Sequence, residues 1–259
     1  EGVAGQFFSE HPVEVRSGNY SYDQFGFSLG TCDFNGDGRL DMAVGVYAGE
    51  DRDASPVVSD TGAVQIYLGY ADGILDKPDL IVYGAVPDAT GVLQPRKGLL
   101  MGRSLATGDM NGDTYCDLAV GGLAYKASAG STNDGLVLVY PGVGASALSQ
   151  GGIASDPVRL YGGTDTNDKK SEFGRRIAMG DINGDNKAEL LIGQWGHDQS
   201  GTVTNVGATH IVLGGDFETV PAISVQGPDA MDWTIKGVTK NDYTGWNVAA
   251  VDVNNDGIN

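Results

Sequence analysis

Short apolar runs that end on or near glycine recur along the chain, and they come in sets of four. The first set reads FGFSLGTC from Phe25, DMAVGV from Asp41, AVQIYLG from Ala63 and, behind Pro78, DLIVYG from Asp79. The second reads GRSLATG from Gly102, DLAVGG from Asp117, LVLVYPG from Leu136 and, behind Pro157, VRLYG from Val158. The third reads FGRRIAMG from Phe173, ELLIGQ from Glu189, ATHIVLG from Ala208 and, behind Pro221, AISVQG from Ala222. A further first member, GWNVAAV, begins at Gly245. Runs this short, rich in Val, Ile and Tyr, are strands and not helices. Leu29, Leu105, Ile177 and Val248 hold one equivalent apolar position in the first strand of each set.

Gly26, Gly102, Gly174 and Gly245 are spaced by 76, 72 and 71 residues, so the unit is a supersecondary element repeated with a period near seventy. Four antiparallel strands per unit is the composition of a propeller blade. The stretch 11–18, HPVEVRSG, reads as an isolated fourth strand with its own Pro12, placed to pair with the last blade and close a ring without free edges. The expected fold class is therefore all-β, a β-propeller of four-stranded antiparallel blades. Its divisions are an outer closing strand within 1–24, blades at 25–100, 101–172 and 173–243, and the start of a further blade at 244–259. Three and a half blades fall short of a closed ring, so the chain is expected to be part of a longer propeller.

Between the first and second strands of each unit stands an acidic string: DFNGDGRLD from Asp33, DMNGDTYCD from Asp109, DINGDNKAE from Asp181 and DVNNDGIN from Asp252. Numbered from the first acid, positions 1, 3 and 5 offer side-chain oxygens, position 7 a backbone carbonyl, and position 9 an acid. The sets are Asp33, Asn35, Asp37, the Arg39 carbonyl and Asp41; Asp109, Asn111, Asp113, the Tyr115 carbonyl and Asp117; and Asp181, Asn183, Asp185, the Lys187 carbonyl and Glu189. The fourth is Asp252, Asn254, Asp256 and the Ile258 carbonyl. Oxygens at every second residue of a tight loop suit a hard cation that takes six to eight of them, so the expected cofactor is Ca²⁺. An EF-hand would need a Glu at position 12 and flanking helices, whereas Val44, Val120 and Ile192 stand there, inside strands. Ordinary Asp/Asn/Gly turns without metal are the plain alternative, weakened by four copies in register. Position 6 favours a left-handed residue, which suits Gly38 and Asn186 better than Thr114.

The Phe25-Gly26 and Phe173-Gly174 starts, the DxNGDGxxD loops and the VG-like pairs Val44-Gly45, Val120-Gly121 and Ile192-Gly193 resemble FG-GAP repeats, as in the β-propeller of integrin α subunits and bacterial relatives. The resemblance implies calcium in the loops, a ring of seven blades, and ligands on the face away from the loops. The sequence departs from it where GAP would follow: Val46-Tyr47-Ala48, Gly122-Leu123-Ala124 and Gln194-Trp195-Gly196.

Composition narrows function further. With 34 acidic against 16 basic residues the net charge is -18, which argues against nucleic acid and anionic membranes as partners. Four bound Ca²⁺ would bring it to -10. No apolar run is long enough to span a membrane. Cys32 and Cys116 are the only cysteines, and a disulfide between repeats or two buried thiols fit the sequence equally. A glycosylation pattern at Asn19-Tyr20-Ser21 is too short to weigh. His11, His197 and His210 join no catalytic motif, so no enzyme activity is expected, and His210 reads as a surface residue of the third strand.

The binding face is expected among the connections opposite the loops. Its candidate ligand-binding residues are Tyr47, Arg52, Tyr125, Trp195, His197, Trp233 and Tyr243, because exposed aromatics beside charges suit protein or glycan recognition. Packing between blades is the bland reading of the same aromatics. The expected function is a secreted or cell-surface calcium-stabilised propeller that binds a protein or glycan ligand in adhesion or matrix assembly. The alternative is a non-catalytic module of a secreted phospholipase or polysaccharide-degrading enzyme. A third reading is a self-assembling building block of a surface polymer.

Overall fold

The computed structural model describes residues 20–70, 73–74, 77–88, 92–123, 134–144, 157, 159–162, 171–198, 203–215, 225–226, 231–254 and 257–259. The stretch 11–18, Tyr125 and Asp256 lie outside these residues. Strands and turns, with no helix, make up the described residues.

Three sheets follow one another along the chain. The first orders β1 (Phe25–Cys32), β2 (Asp41–Val46), β3 (Ala63–Tyr67) and β6 (Leu80–Tyr83), with every neighbour antiparallel. Two small hairpins accompany it: β4 (Gly69–Tyr70) with β5 (Gly73–Ile74), and β7 (Ala85–Pro87) with β8 (Leu93–Pro95). The second sheet orders β9 (Met101–Gly108), β10 (Asp117–Gly122), β11 (Leu136–Tyr140) and β12 (Arg159–Gly162). β16 (Val225–Gln226) adds to its outer edge in parallel. The third orders β13 (Ile177–Gly180), β14 (Glu189–Gln194), β15 (Ala208–Val212) and β17 (Trp233–Lys236). These are partial propeller blades built from sequential antiparallel strands.

The blades stack through their alternating faces. Leu118, Val120, Leu136, Leu138 and Tyr140 of the second blade meet Ala43, Val64 and Ile66 of the first, while Ala119, Val137 and Val139 point the other way onto Leu190 and Ile192 of the third. The middle sheet is therefore buried on both sides, which is why β11 reads as an unbroken apolar run, LVLVY.

Glycine fixes the blade-to-blade spacing at two recurrent points. A side chain at Gly45, Gly121 or Gly193 in the second strand would strike the carbonyl of Gly102, Gly174 or Gly245 in the next unit. The Ser28 and Ser104 hydroxyls donate to the Gly102 and Gly174 carbonyls at 2.8 and 2.7 Å, closing the same contact. The second point is the glycine that opens each third strand: Gly62, Gly135 and Gly207 bridge in parallel to Met101, Phe173 and Thr244. The fourth repeat thus docks at Thr244 as its predecessors do.

Three expectations fail. The segment 222–227 is not the fourth strand of the third blade; β17 takes that place, pairing Ala208–Ile211 with Trp233–Lys236. Its mark is an aspartate before the strand and a glycine after it. Asp79 accepts from the Leu68 amide at 2.8 Å, and Asp232 accepts from the Leu213 amide at 2.8 Å. Gly84 and Gly237 close these strands, donating to the Gly62 and Gly207 carbonyls. DLIVYG and DWTIKG carry both marks, and AISVQG lacks the aspartate. Second, 245–251 forms no ladder strand, because among the described residues no second strand lies beside it to pair with it. Third, His210 is buried: its position on β15 faces the blade interior, as Leu138 does on β11. Its ring is satisfied by Gln194 Oε1 at 2.6 Å and Thr234 Oγ1 at 3.0 Å.

Candidate functional site

Each acidic loop joins the first strand of its blade to the second and is organised by its own side chains. In the first loop Asp33 accepts from the Asp37 and Gly38 amides at 3.1 and 2.8 Å, Asn35 from the Asp37 amide at 2.9 Å, and Asp37 from the Arg39 amide at 2.9 Å. The second repeats this: Asp109 accepts from Asp113 and Thr114, Asn111 from Asp113, and Asp113 from Tyr115. In the third, Asp181 accepts from Asp185 and Asn186, Asn183 from Asp185, and Asp185 from Lys187. Asp252 repeats one of these bonds by accepting from Gly257 at position 6, and also accepts from the Asn254 amide.

Curling requires left-handed backbone at two places. Position 4 has φ of 69°, 80° and 79° at Gly36, Gly112 and Gly184, and position 6 has 83°, 76° and 65° at Gly38, Thr114 and Asn186. Only Thr114 is β-branched there, so the second loop bears the strain.

Position 9 serves a different purpose. Asp41 is buried, accepting from Phe34 on its own loop and from Gly69 beyond the third strand, both at 2.8 Å. Asp117 accepts from Met110 and Gly142 at 2.8 and 2.9 Å, and Glu189 from Ile182 and Gly214 at 2.8 and 3.4 Å. Burial pushes the Asp117 carboxyl up to about 7, against the pull of those two amides and with a further push from Asp113 and Asp109. Asp41 and Glu189 are raised in the same way, by burial first and with the neighbouring loop acids adding to it.

Successive loops interlock. The Tyr115 ring covers Gly36, the Lys187 stem covers Gly112 and Ile258 covers Gly184, so position 7 of each loop seats on position 4 of the one before. The amides of Ala188 and Asn259, at position 8, donate to the carbonyls of Asp109 and Asp181 at 2.7 Å. Between the first two blades this contact is covalent: Cys32, just before the first loop, is disulfide-bonded to Cys116, at position 8 of the second, with Cα atoms 6.0 Å apart. The matching pairs are Gly108 with Ala188 and Gly180 with Asn259, where a methyl group on the glycine would come within 2.8 and 2.9 Å of the partner Cβ. The two cysteines stand at different positions in their repeats because adjoining blades meet out of step.

The donor chemistry fits a hard cation. Carboxylate and amide oxygens alternate, and at Asp41, Asp117 and Glu189 the other acids of the loop add to the rise in proton affinity that burial begins, as a site short of positive charge would. Among the described residues no three acidic, histidine or cysteine side chains converge closely enough to hold a metal ion, because the oxygens face loop amides.

At the other end of the sheets, the bulged starts of the first strands meet the ends of the second. Tyr47 stacks on Phe27 with ring centroids 4.8 Å apart, and the Arg103 guanidinium lies 5.1 Å from the Tyr47 ring. Trp195 packs on Tyr243 and Trp246 at 5.5 and 5.0 Å, and its indole N–H donates to Glu172 at 3.0 Å. Arg52 stands apart, over the Tyr20 ring at 3.6 Å and paired with Asp23 and Glu50, beside a cavity of about 190 Å3. His197 is buried, and its carbonyl accepts from the Gly207 amide. Trp233 is half exposed on β17, not in a connection. Phe27, Arg103, Arg175 and Trp246, one residue after the repeat glycine, were missed from the sequence. Their signal is the left-handed glycine before each, with φ between 78° and 87° at Gly26, Gly102, Gly174 and Gly245, which in β1 and β9 accompanies a register shift.

Comparison with known proteins places these repeats. The family described as FG-GAP repeat matches residues 25–67 and 173–212, leaving out the unit that opens Met101-Gly102 in place of Phe-Gly. Integrin alpha-5 of Xenopus laevis is 29% identical over 185 residues, 70% of this chain and 16% of that protein. Integrin alpha-7 of Rattus norvegicus is 31% identical over 185 residues, 70% of this chain and 14% of that protein. Phosphatidylinositol-glycan-specific phospholipase D of Bos taurus is 28% identical over 249 residues, 92% of this chain and 26% of that protein. The chain spans no more than 26% of the length of any of these three relatives.

Proposed function

From a chain that carries FG-GAP repeats on antiparallel four-stranded sheets, we propose an extracellular β-propeller segment, stiffened by Ca²⁺ in its acidic loops, that binds a protein or glycan ligand on the opposite face. The observation that carries the metal is the loop itself, with one oxygen-donor set and one hydrogen-bond scheme in three complete copies. Asp33, Asn35, Asp37, the Arg39 carbonyl and Asp41 would hold one ion, and their counterparts in the second and third loops two more. A bound cation supplies positive charge that offsets the repulsion among these acids. Because each loop joins two strands and seats on its neighbour, that charge stiffens both the blade and the contact between blades.

The Cys32–Cys116 disulfide favours an oxidising, extracellular setting. Integrin relatives favour a protein ligand and a role in adhesion. Calcium titration by calorimetry tests the metal: at least three ions per chain are expected, and Asp113→Asn should remove one with the others unchanged. Absence of any heat would overturn it. For the ligand face, surfaces coated with the chain should retain matrix proteins or cells in calcium, and Trp195→Ala should weaken that about tenfold in a chain that still folds, as circular dichroism checks. Equal retention by Trp195→Ala and Tyr47→Ala would move the site elsewhere.

A second reading has its own support. The bovine phospholipase D aligns with 92% of this chain, against 70% for the two integrins above, which supports a non-catalytic module beside a hydrolase as the alternative. The full coding sequence separates the two: a catalytic segment favours the enzyme, and a stalk or anchor favours adhesion.

A further inference from the structure

In a chain with twice as many acids as bases, three arginines gather where the first strands of the second and third blades begin. Arg103 follows the left-handed Gly102, and Arg175 and Arg176 follow the left-handed Gly174. Arg103 and Arg175 each lower the proton affinity of Arg176, adding to the effect of its partial burial, which comes first. Their partners are few. Arg175 is paired with Glu172 at 2.5 Å, while among the described residues the Arg176 side chain donates to the Arg175 carbonyl alone, at 3.2 Å. Arg103 has aromatic faces beside it, Phe27 at 5.0 Å and Tyr47 at 5.1 Å, and its Nε is buried with no hydrogen-bond acceptor among the described residues. Thus, among the described residues, one of the three guanidinium groups is paired with a carboxylate, in a chain of 34 acids. The walls on either side are aromatic: Phe27 and Tyr47 next to Arg103, Trp195 and Trp246 next to Arg175, the last at 4.6 Å.

We propose that Arg103, Arg175 and Arg176 form an anion-recognition site for the carboxylate of an Asp or Glu side chain on a protein partner, with the flanking aromatics taking the apolar residues beside it. This rests on the ligand face proposed above and names its chemistry. Guanidinium groups match a carboxylate in plane and in donor spacing. A single acid that enters the cluster is attracted by three neighbouring positive charges that act on one another, whereas a long polyanion would also feel the net charge of -18 across a Debye length of about 8 Å. That difference favours an acidic peptide segment over a sulfated glycan. Neighbouring aromatic rings at 4.8 to 5.5 Å give the peptide an apolar bed.

The test uses the 259-residue chain in saturating calcium, ¹⁵N-labelled, with side-chain Nε–H and indole signals followed by NMR. The probes are a capped pentapeptide Gly-Phe-Asp-Leu-Gly, its Asn counterpart and a heparin oligosaccharide. The Asp peptide should shift the signals of Arg103, Arg175 and Arg176, weaken with added salt, and bind at least about tenfold more tightly than the Asn peptide. Arg103→Gln and Arg176→Gln should each abolish that preference with an unchanged melting temperature, and Arg176→Lys should retain part of it. If a glutamine variant does not fold, the shifts in the unsubstituted chain still decide. Arginine signals that ignore the Asp peptide, or that respond to heparin at lower concentration, would overturn the proposal. Indole signals of Trp195 and Trp246 that move equally with both peptides would leave the ligand face standing and remove only the acid specificity.

Discussion

Thr114 holds a β-branched side chain at φ 76°, a backbone region that costs an ordinary residue about 1–2 kcal/mol. Its counterparts are Gly38 and Asn186, so Thr114→Gly or Thr114→Asn should stabilise the chain by about 1 kcal/mol in urea unfolding; an unchanged or lower midpoint would mean that the hydroxyl repays the strain. That preference was legible in the sequence, because position 6 of a tight acidic loop asks for a left-handed residue. His210 was not, since the sequence aligned it with the polar Gln65 and nothing local announces that Gln194 and Thr234 will meet its ring. Burial, with His197 and Lys236 adding to it, lowers His210 from 6.5 to about 4. Between those values the unfolded chain binds the extra proton and the folded chain does not. Its contribution is therefore present above pH 6.5 and is lost as pH falls toward 4, by roughly 3 kcal/mol. Melts from pH 7.5 to 4.5 should show a loss that His210→Gln reduces; parallel curves for the two proteins would contradict this.

Strands two and three stand where the apolar pattern put them in all three blades, because each is bounded by an acid or glycine with a fixed task. Gly121 is such a residue: Gly121→Ala would press on the Gly174 carbonyl and the Ser104 hydroxyl, both part of the next blade's contact. A cost of about 2–3 kcal/mol is expected by chemical denaturation, and a neutral substitution would mean that the blades are not held at this spacing. The fourth strand of the third blade was misread because proline and apolar content pointed to AISVQG. The deciding residue is Asp232, whose carboxylate holds the Leu213 amide as Asp79 holds that of Leu68. Asp232→Ala should destabilise by about 1–2 kcal/mol, and hydrogen exchange should localise the effect to β15 and β17. The left-handed turns that precede Arg103 and Arg175 were illegible for a related reason: a glycine at a strand start has many uses, and only the neighbouring blade selects one.

Across the molecule, the acidic loops form a continuous course along one end of the blades, each seated on the last and the first two joined by Cys32–Cys116. A link closing 84 residues is worth about 4–5 kcal/mol in the chain-entropy account, so mild reduction should lower the melt, and Cys32→Ser with Cys116→Ser should reproduce that loss. The sequence held both cysteines but could not pair them, since the pairing depends on how adjoining blades are offset. The same course of loops bears the central claim, that calcium and not a further core stabilises these repeats. Thermal unfolding of the 259-residue chain, measured in EDTA and in rising Ca²⁺, tests it most directly. A melting temperature that climbs with free calcium, with Mg²⁺ at equal concentration giving a smaller rise, is the predicted result; superimposable melts in EDTA and in millimolar Ca²⁺ would contradict it.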